Sequence, residues 1–138
     1  MEHLGEFIIN HWILVTAFVV LLFMVMSDQL NRKLSGVNNI AAAQAVQIVN
    51  QQKGLFLDVR DTAEYTKEHI ADSISLPLSK IDDDVSLKDT EKAIVLICAS
   101  GQRARTAAKQ LQKKGFTNIH VLNGGLNSWR DAKLPLFS

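Results

Sequence analysis

The sequence predicts an α/β domain with a mainly parallel sheet, preceded by one transmembrane helix. Three observations carry that expectation. From about Asn38 onward, short apolar runs alternate with segments of helical period, the pattern of strands joined by crossover helices. In the middle of that alternation lies a continuous apolar run, Ala93-Ile94-Val95-Leu96-Ile97, as a central strand covered on both faces requires. Ahead of it all, Phe7 to Met26 runs for 20 residues without one formally charged side chain.

As a helix that first segment is about 30 Å long, the thickness of a bilayer core. Asn10 and His11 weaken its outer end, but from Trp12 to Met26 only Thr16 is polar. A core helix of a soluble protein keeps a polar face. A cleavable signal peptide has a basic start and a small-residue cleavage site. Here the start carries Glu2 and Glu6, and Val25-Met26-Ser27 offers no such site. A permanent anchor in the lipid bilayer is therefore expected. No Lys or Arg precedes the segment, whereas Arg32 and Lys33 follow it. The positive-inside rule then makes this a single-pass protein of the inner or cell membrane, its amino terminus outside and its domain in the cytoplasm. In the alternative, Arg32 and Lys33 hold lipid headgroups without topological meaning. The organisation expected is residues 1–26 as the anchoring segment, residues 27–37 as a polar tether containing Gly36, and residues 38–138 as one domain. About 100 residues suffice for an independent core.

Within the domain, Ala42 to Gln51 reads as a helix with Ala45, Val46 and Val49 on one side. Leu55-Phe56-Leu57 with Val59 forms a short strand entered through Gly54. Thr62 to Glu68 is a short helix, and Ser73 to Leu76 a strand stopped by Pro77. After the central strand, Arg103 to Lys114 is a helix closed by Gly115 at its C′ position. Ala104, Ala107, Ala108 and Leu111 give that helix a small-residue face able to lie close on a sheet. Asn118 to Leu122 is the last strand and Asn127 to Ala132 a final helical turn.

Composition narrows the function. With 15 Lys and Arg against 14 Asp and Glu, bulk charge does not suit nucleic-acid binding. A single cysteine, Cys98, excludes an internal disulfide framework, and His3, His11, His69 and His120 show no metal-ligand spacing. Neither a metal nor a cofactor is expected. The chemistry gathers where the central strand ends, in Cys98-Ala99-Ser100-Gly101-Gln102-Arg103. Ligands of open α/β sheets bind beyond the carboxyl ends of strands. A cysteine there faces a helix amino terminus, whose N–H groups and dipole favour an anionic, reactive sulfur. Gly101 lets the backbone curl so that successive amides point inward, and Arg103 can close the cradle with a planar positive fork.

Leu57-Asp58-Val59-Arg60, Glu64-Tyr65, His69-Ile70, Leu76-Pro77-Leu78, the Cys98 loop, and Gly124-Gly125 followed by Trp129 together resemble the rhodanese-like domains, in order and at their usual intervals. The resemblance covers residues 38–138. It implies a five-stranded parallel sheet flanked by helices and sulfurtransferase chemistry of the thiosulfate:cyanide or thiosulfate:thiol class. The active-site cysteine would take a sulfur from a small anionic donor such as thiosulfate, become a persulfide, and pass that sulfur to a thiol or protein acceptor. Carried onto this chain, Cys98 is the nucleophile and Arg103 the catalytic, anion-orienting residue. The amides of Ala99, Ser100, Gly101, Gln102 and Arg103 bind substrate, with Arg60 as a further candidate. Four residues separate Cys98 from Arg103, the shorter loop typical of sulfurtransferases. The related cell-cycle phosphatases and arsenate reductases have five.

Asp58 and Arg60 resemble an acidic-basic pair that holds the surroundings of the site by hydrogen bonds. For His69 a structural hydrogen bond is expected, and for Trp129 packing against the sheet. Glu68-His69-Ile70-Ala71-Asp72 departs from the family's Gly-His-Ile-Pro-Gly turn, so Asp72 has to take a left-handed position. Asp82-Asp83-Asp84 reads as a solvated loop or helix end. Arg105, in the first turn of its helix, either draws anions to the cleft, faces anionic lipid, or is solvated. Two function classes follow: a membrane-anchored sulfurtransferase, or a membrane-tethered adaptor of the same fold that binds a protein partner. The anchor brings membrane proteins within reach as partners in both.

Overall fold

The computed structural model describes residues 2–34, 36–83 and 87–138, and the chain falls into two compact units that part between residues 35 and 36. Ser35 in the expected tether and Asp84 in the acidic run lie outside the described residues.

The first unit consists of helices α1 (Glu2–Asn10) and α2 (Trp12–Leu34), separated by a turn at His11. His11 donates from Nδ1 to the carbonyl of Phe7, which also accepts the His11 amide. The expected span Phe7–Met26 is thus divided: the stretch long and apolar enough to cross a membrane is Trp12–Leu30, with none of it buried. The expected tether is also mostly helical. Its Gln, Arg, Lys and Leu residues suit a helix, and α2 runs through them to Leu34.

The second unit carries a five-stranded, wholly parallel sheet in the order β1-β5-β4-β2-β3. The strands are β1 (Asn38–Ile40), β2 (Leu55–Asp58), β3 (Ile74–Ser75), β4 (Ile94–Ile97) and β5 (Ile119–Leu122). Between them lie α3 (Ala42–Gln51), α4 (Thr62–Lys67), a 3₁₀ turn at Leu78–Lys80, and α5 (Gln102–Lys113), with α6 (Gly125–Asp131) last. β2, β4 and β5 are buried at every position, which their apolar runs dictate. The sequence reading missed β1. It is an edge strand with Asn38 and Asn39 exposed and only Ile40 buried, so no alternation marks it. β3 shrinks to two residues before Pro77.

Strand alternation divides the core into two layers. Ile94, Leu96 and Cys98 face one side, where Ala104, Ala107, Ala108 and Leu111 of α5 cover them. Val95 and Ile97 face the other, against Ala45 of α3 and Leu126 and Trp129 of α6. Period-2 geometry therefore puts Cys98 on the α5 side. At its far end α5 closes with a Schellman motif. Phe116 donates to Leu111 O at 3.2 Å and Gly115 to Gln112 O at 3.0 Å, with Gly115 at φ 96°. Trp129 packs as expected, edge-on to Phe56, with its indole N–H on Pro135 O at 3.0 Å.

His120, in the middle of β5, is the buried polar group with a pH consequence. Its Nε2 donates to Asn118 Oδ1 at 2.8 Å, leaving Nδ1 as a buried atom without a partner among the described residues. A second proton would sit on Nδ1 facing no acceptor, and burial holds the imidazole below its ordinary value of 6.5. The unfolded chain therefore binds that proton first. Stability should be complete above about pH 6.5 and fall as pH drops below it. Denaturant midpoints between about pH 8 and pH 5 should show this slope, and His120→Leu should flatten it. An equal slope in the variant would remove His120 as its source.

Candidate active site

The site forms where β4 hands the chain to α5. Cys98 is fully buried, and its Sγ accepts the amide of Gly101 at 2.9 Å and that of Ala104 at 3.4 Å. Gly101 is the N-cap of α5 at φ 104°, a left-handed conformation that glycine adopts without strain. Ala104 is the third helical residue, so the sulfur receives the amide that an N-cap side chain would ordinarily take. Two N–H dipoles and the helix end thus point at one sulfur. The first-turn amides of Gln102 and Arg103 have no intrahelical partner by the geometry of a helix start. Ala99 and Ser100 complete the loop.

A second glycine pair holds the loop from behind. Gly124 and Gly125 have φ values of 75° and 59°. A Cβ on Gly125 would lie 2.2 Å from Cys98 O and 2.7 Å from Ala99 O. Through that gap the start of α6 reaches the loop, where Leu126 N–H donates to Cys98 O at 2.9 Å and Asn127 N–H to Ala99 O at 3.3 Å. This is why α6 begins at Gly125 rather than Asn127, the expected start.

Arg103 does not stand free over the sulfur. Its guanidinium forks onto Glu64, at 2.8 Å to Oε2 and 3.2 Å to Oε1. Glu64 also accepts the Asp61 amide at 3.1 Å, as the third helical residue of a capping box that starts α4. Hydrogen bonding from Arg103 holds the Glu64 carboxyl below its usual range. The same bond, with weaker help from the charges of Glu64 and Cys98, holds Arg103 more firmly protonated. Arg105 is exposed, with one guanidinium nitrogen 3.7 Å from where a Cβ on Gly101 would sit.

Arg60 is engaged inside the protein through Nε and Nη2. It donates to Asp58 from Nε at 3.0 Å and from Nη2 at 2.8 Å, and to Glu68 O at 2.6 Å. The pair is buried, and removing one partner of such a pair costs about 3–5 kcal/mol. This geometry gives Arg60 a structural place, bridging Asp58 and the Glu68 carbonyl. His69 stacks on Tyr65 and its Nδ1 donates to Tyr65 O at 2.9 Å. Asp72 takes the left-handed position at φ 59°. Asp82 and Asp83 lie in a turn, and the carbonyl of Asp82 accepts Lys114 Nζ at 3.0 Å.

The family profile of the rhodanese-like domain matches residues 41–132. The chain belongs to the rhodanese-like family. It is 30% identical to uncharacterized protein YibN of Escherichia coli K12, an alignment covering 99% of this chain and 97% of that one. Thiosulfate sulfurtransferase GlpE of Pseudomonas savastanoi pv. phaseolicola is 31% identical over 63% of this chain and 82% of its own length. A solved rhodanese-related protein from Thermoplasma volcanium superposes with a TM-score of 0.65 at 30% identity, covering 72% of this chain and 97% of that one. The rhodanese-like fold thus occupies the second unit, and the YibN alignment extends over the N-terminal helices as well.

Three contributors to this rhodanese-like site escaped the sequence reading. The Ala104 amide could have been found by counting from the N-cap, because the third helical N–H is the one a cap receives. Glu64 carried the capping-box signal, though nothing local linked it to Arg103. Gly125 signalled only a tight turn. Its missing Cβ gives the sharpest test. Gly125→Ala forces backbone atoms of the loop and of α6 apart, and should cost at least about 2 kcal/mol, lowering Tm by about 10 °C. A thermal melt checks it; a variant melting within about 2 °C of the parent would show that the contact is not tight.

Proposed function

We propose that this protein is a membrane-anchored sulfurtransferase that carries sulfane sulfur as a persulfide on Cys98. The observation behind this reading is the pair of amides, from Gly101 and Ala104, that meet Sγ at the amino terminus of α5. Its family and its sulfurtransferase relatives support the same chemistry. With thiosulfate as donor, the Cys98 thiolate attacks the outer sulfur, the Sγ–S bond forms, and sulfite leaves with the electron pair of the broken S–S bond. A thiol, cyanide or protein nucleophile then attacks the outer sulfur of the persulfide, and Cys98 departs as thiolate. In each step negative charge develops on sulfur near fixed N–H groups, which need little reorganisation to stabilise it. Cys98 is the nucleophile, the amides from Ala99 to Arg103, with Ala104, form the cradle, and Arg103 orients the anionic donor.

Mass analysis of the full-length chain in detergent tests this. After thiosulfate exposure, Cys98 should carry one extra, reducible sulfur and pass it to cyanide or a thiol. Cys98→Ser should do neither. Wild-type transfer by that variant would sink the assignment; a folded, intact chain that takes up no sulfur would favour the adaptor reading.

The anchor in this proposal is α2, which crosses the bilayer between Trp12 and Leu30, with Glu2 outside and Cys98 in the cytoplasm. The apolar, exposed length of α2 and the basic pair Arg32 and Lys33 after that stretch support it. Full-length protein should sediment with membranes and resist salt extraction. A reporter after Ser138 should be active only on the cytoplasmic side. Recovery in the soluble fraction without detergent would exclude the anchor, and an external carboxyl-terminal reporter would reverse the topology.

A further inference from the structure

The Arg103–Glu64 pair bears on which sulfur donors this site accepts. Before any substrate arrives, both terminal nitrogens of the Arg103 guanidinium are bonded to one carboxylate. That carboxylate is itself fixed by the Asp61 amide at the start of α4. The cation at the end of the loop is therefore matched by an anion, and the two together bring no net charge to the mouth of the site.

Donors differ in the charge they bring. Thiosulfate is a dianion, so its encounter with a cysteine thiolate gathers three negative charges, which leave as sulfite and a persulfide anion. The hydropersulfide of an uncharged thiol, R–S–SH, brings no charge when protonated and one when ionised, so the same encounter gathers one or two. In that reaction the Cys98 thiolate attacks the terminal sulfur and an Sγ–S bond forms. The donor S–S bond breaks, and R–S⁻ leaves with its electron pair while the proton stays on the new persulfide. Like charges held within a few ångströms repel by about 1 kcal/mol per pair even in water, and more near a protein surface. A mouth whose loop arginine is neutralised penalises thiosulfate more than such a hydropersulfide, and exposed Arg105 beside Gly101 offsets part of the difference.

We propose that Glu64 is a positioning residue that sets donor class, occupying Arg103 so that the site takes sulfur from hydropersulfides of thiols in preference to thiosulfate. This rests on the sulfurtransferase reading of Cys98 above. Arg103 and Glu64 have side chains 34% and 40% exposed, so solvent screens the pair and the effect is moderate.

The test compares kcat/KM for thiosulfate and for 2-mercaptoethanol hydropersulfide, using full-length protein in detergent. In Glu64→Gln the amide oxygen still accepts the Asp61 N–H, while the charge on Arg103 is released. The thiosulfate-to-hydropersulfide ratio should rise about fivefold, carried by a lower thiosulfate KM. Arg103→Ala, which leaves α4 untouched, should move the ratio about fivefold the other way. In an Arg103→Ala background Glu64→Gln should bring the ratio back to about the parent value, because the pair again contributes no net charge. An unchanged ratio in folded Glu64→Gln would overturn the inference. So would a Glu64→Gln gain that is undiminished at about 1 M salt, where charge is screened, which would assign the effect to helix capping. If Glu64→Gln does not fold, an unchanged ratio in Arg103→Ala overturns it instead. Failure of wild-type Cys98 to take sulfur from either donor is a separate result, seen by mass, that overturns the sulfurtransferase reading itself.

Discussion

The hydrogen bonds from Gly101 and Ala104 to Cys98 Sγ set the terms for the rest of the rhodanese-like domain. For two amides to converge on one sulfur, the strand must end on the face that α5 covers, and the alternation of β4 delivers Cys98 to that face. The helix must also lie close to the sheet, which its alanine face permits. The first turn must open at a left-handed residue, which is Gly101. Each condition is an ordinary requirement of packing or backbone sterics, and together they leave a thiol sulfur where a capping oxygen usually sits.

Around that contact the protein uses interactions of different depth. The Asp58–Arg60 pair is buried and ties the end of β2 to the turn after α4 through the Glu68 carbonyl. Its work is to hold shape, and its desolvated charges are tolerated because every one of them is hydrogen-bonded. The Arg103–Glu64 pair is half-exposed and links α5 to α4 beside the sulfur. There, solvent screens the charges and weakens the bond. Two arginines that look alike in the sequence are separated by their burial into a scaffold and an adjustable element.

What could be read from the sequence follows how local each signal is. The central strand and α5 were plain, because a continuous apolar run and an i, i+3, i+4, i+7 alanine face report burial directly. Cys98 and Gly101 were plain for the same reason: their chemistry lies in the residue type and its place in the loop. β1 was invisible, since an edge strand with two exposed asparagines has neither period nor apolar content. The amide of Ala104 was invisible in another way, because a backbone donor leaves no mark on side-chain identity. The Arg103–Glu64 contact joins residues far apart in the chain, and Glu64 stood in the family resemblance with no local sign of that contact. The polar end of α2 misled by composition: residues that read as a tether are also good helix formers.

The sheet order has one more consequence, for the chain as it is being made. β1, the first strand, pairs only with β5, the last. The clamp on the Cys98 loop comes from Gly125 and Leu126, beyond β5. Contacts of such long sequence separation form late in folding. A nascent chain thus carries its cysteine through synthesis before the amides around it are locked in place. The amides around Cys98 are all in place only when the last part of the domain has left the ribosome and closed the sheet.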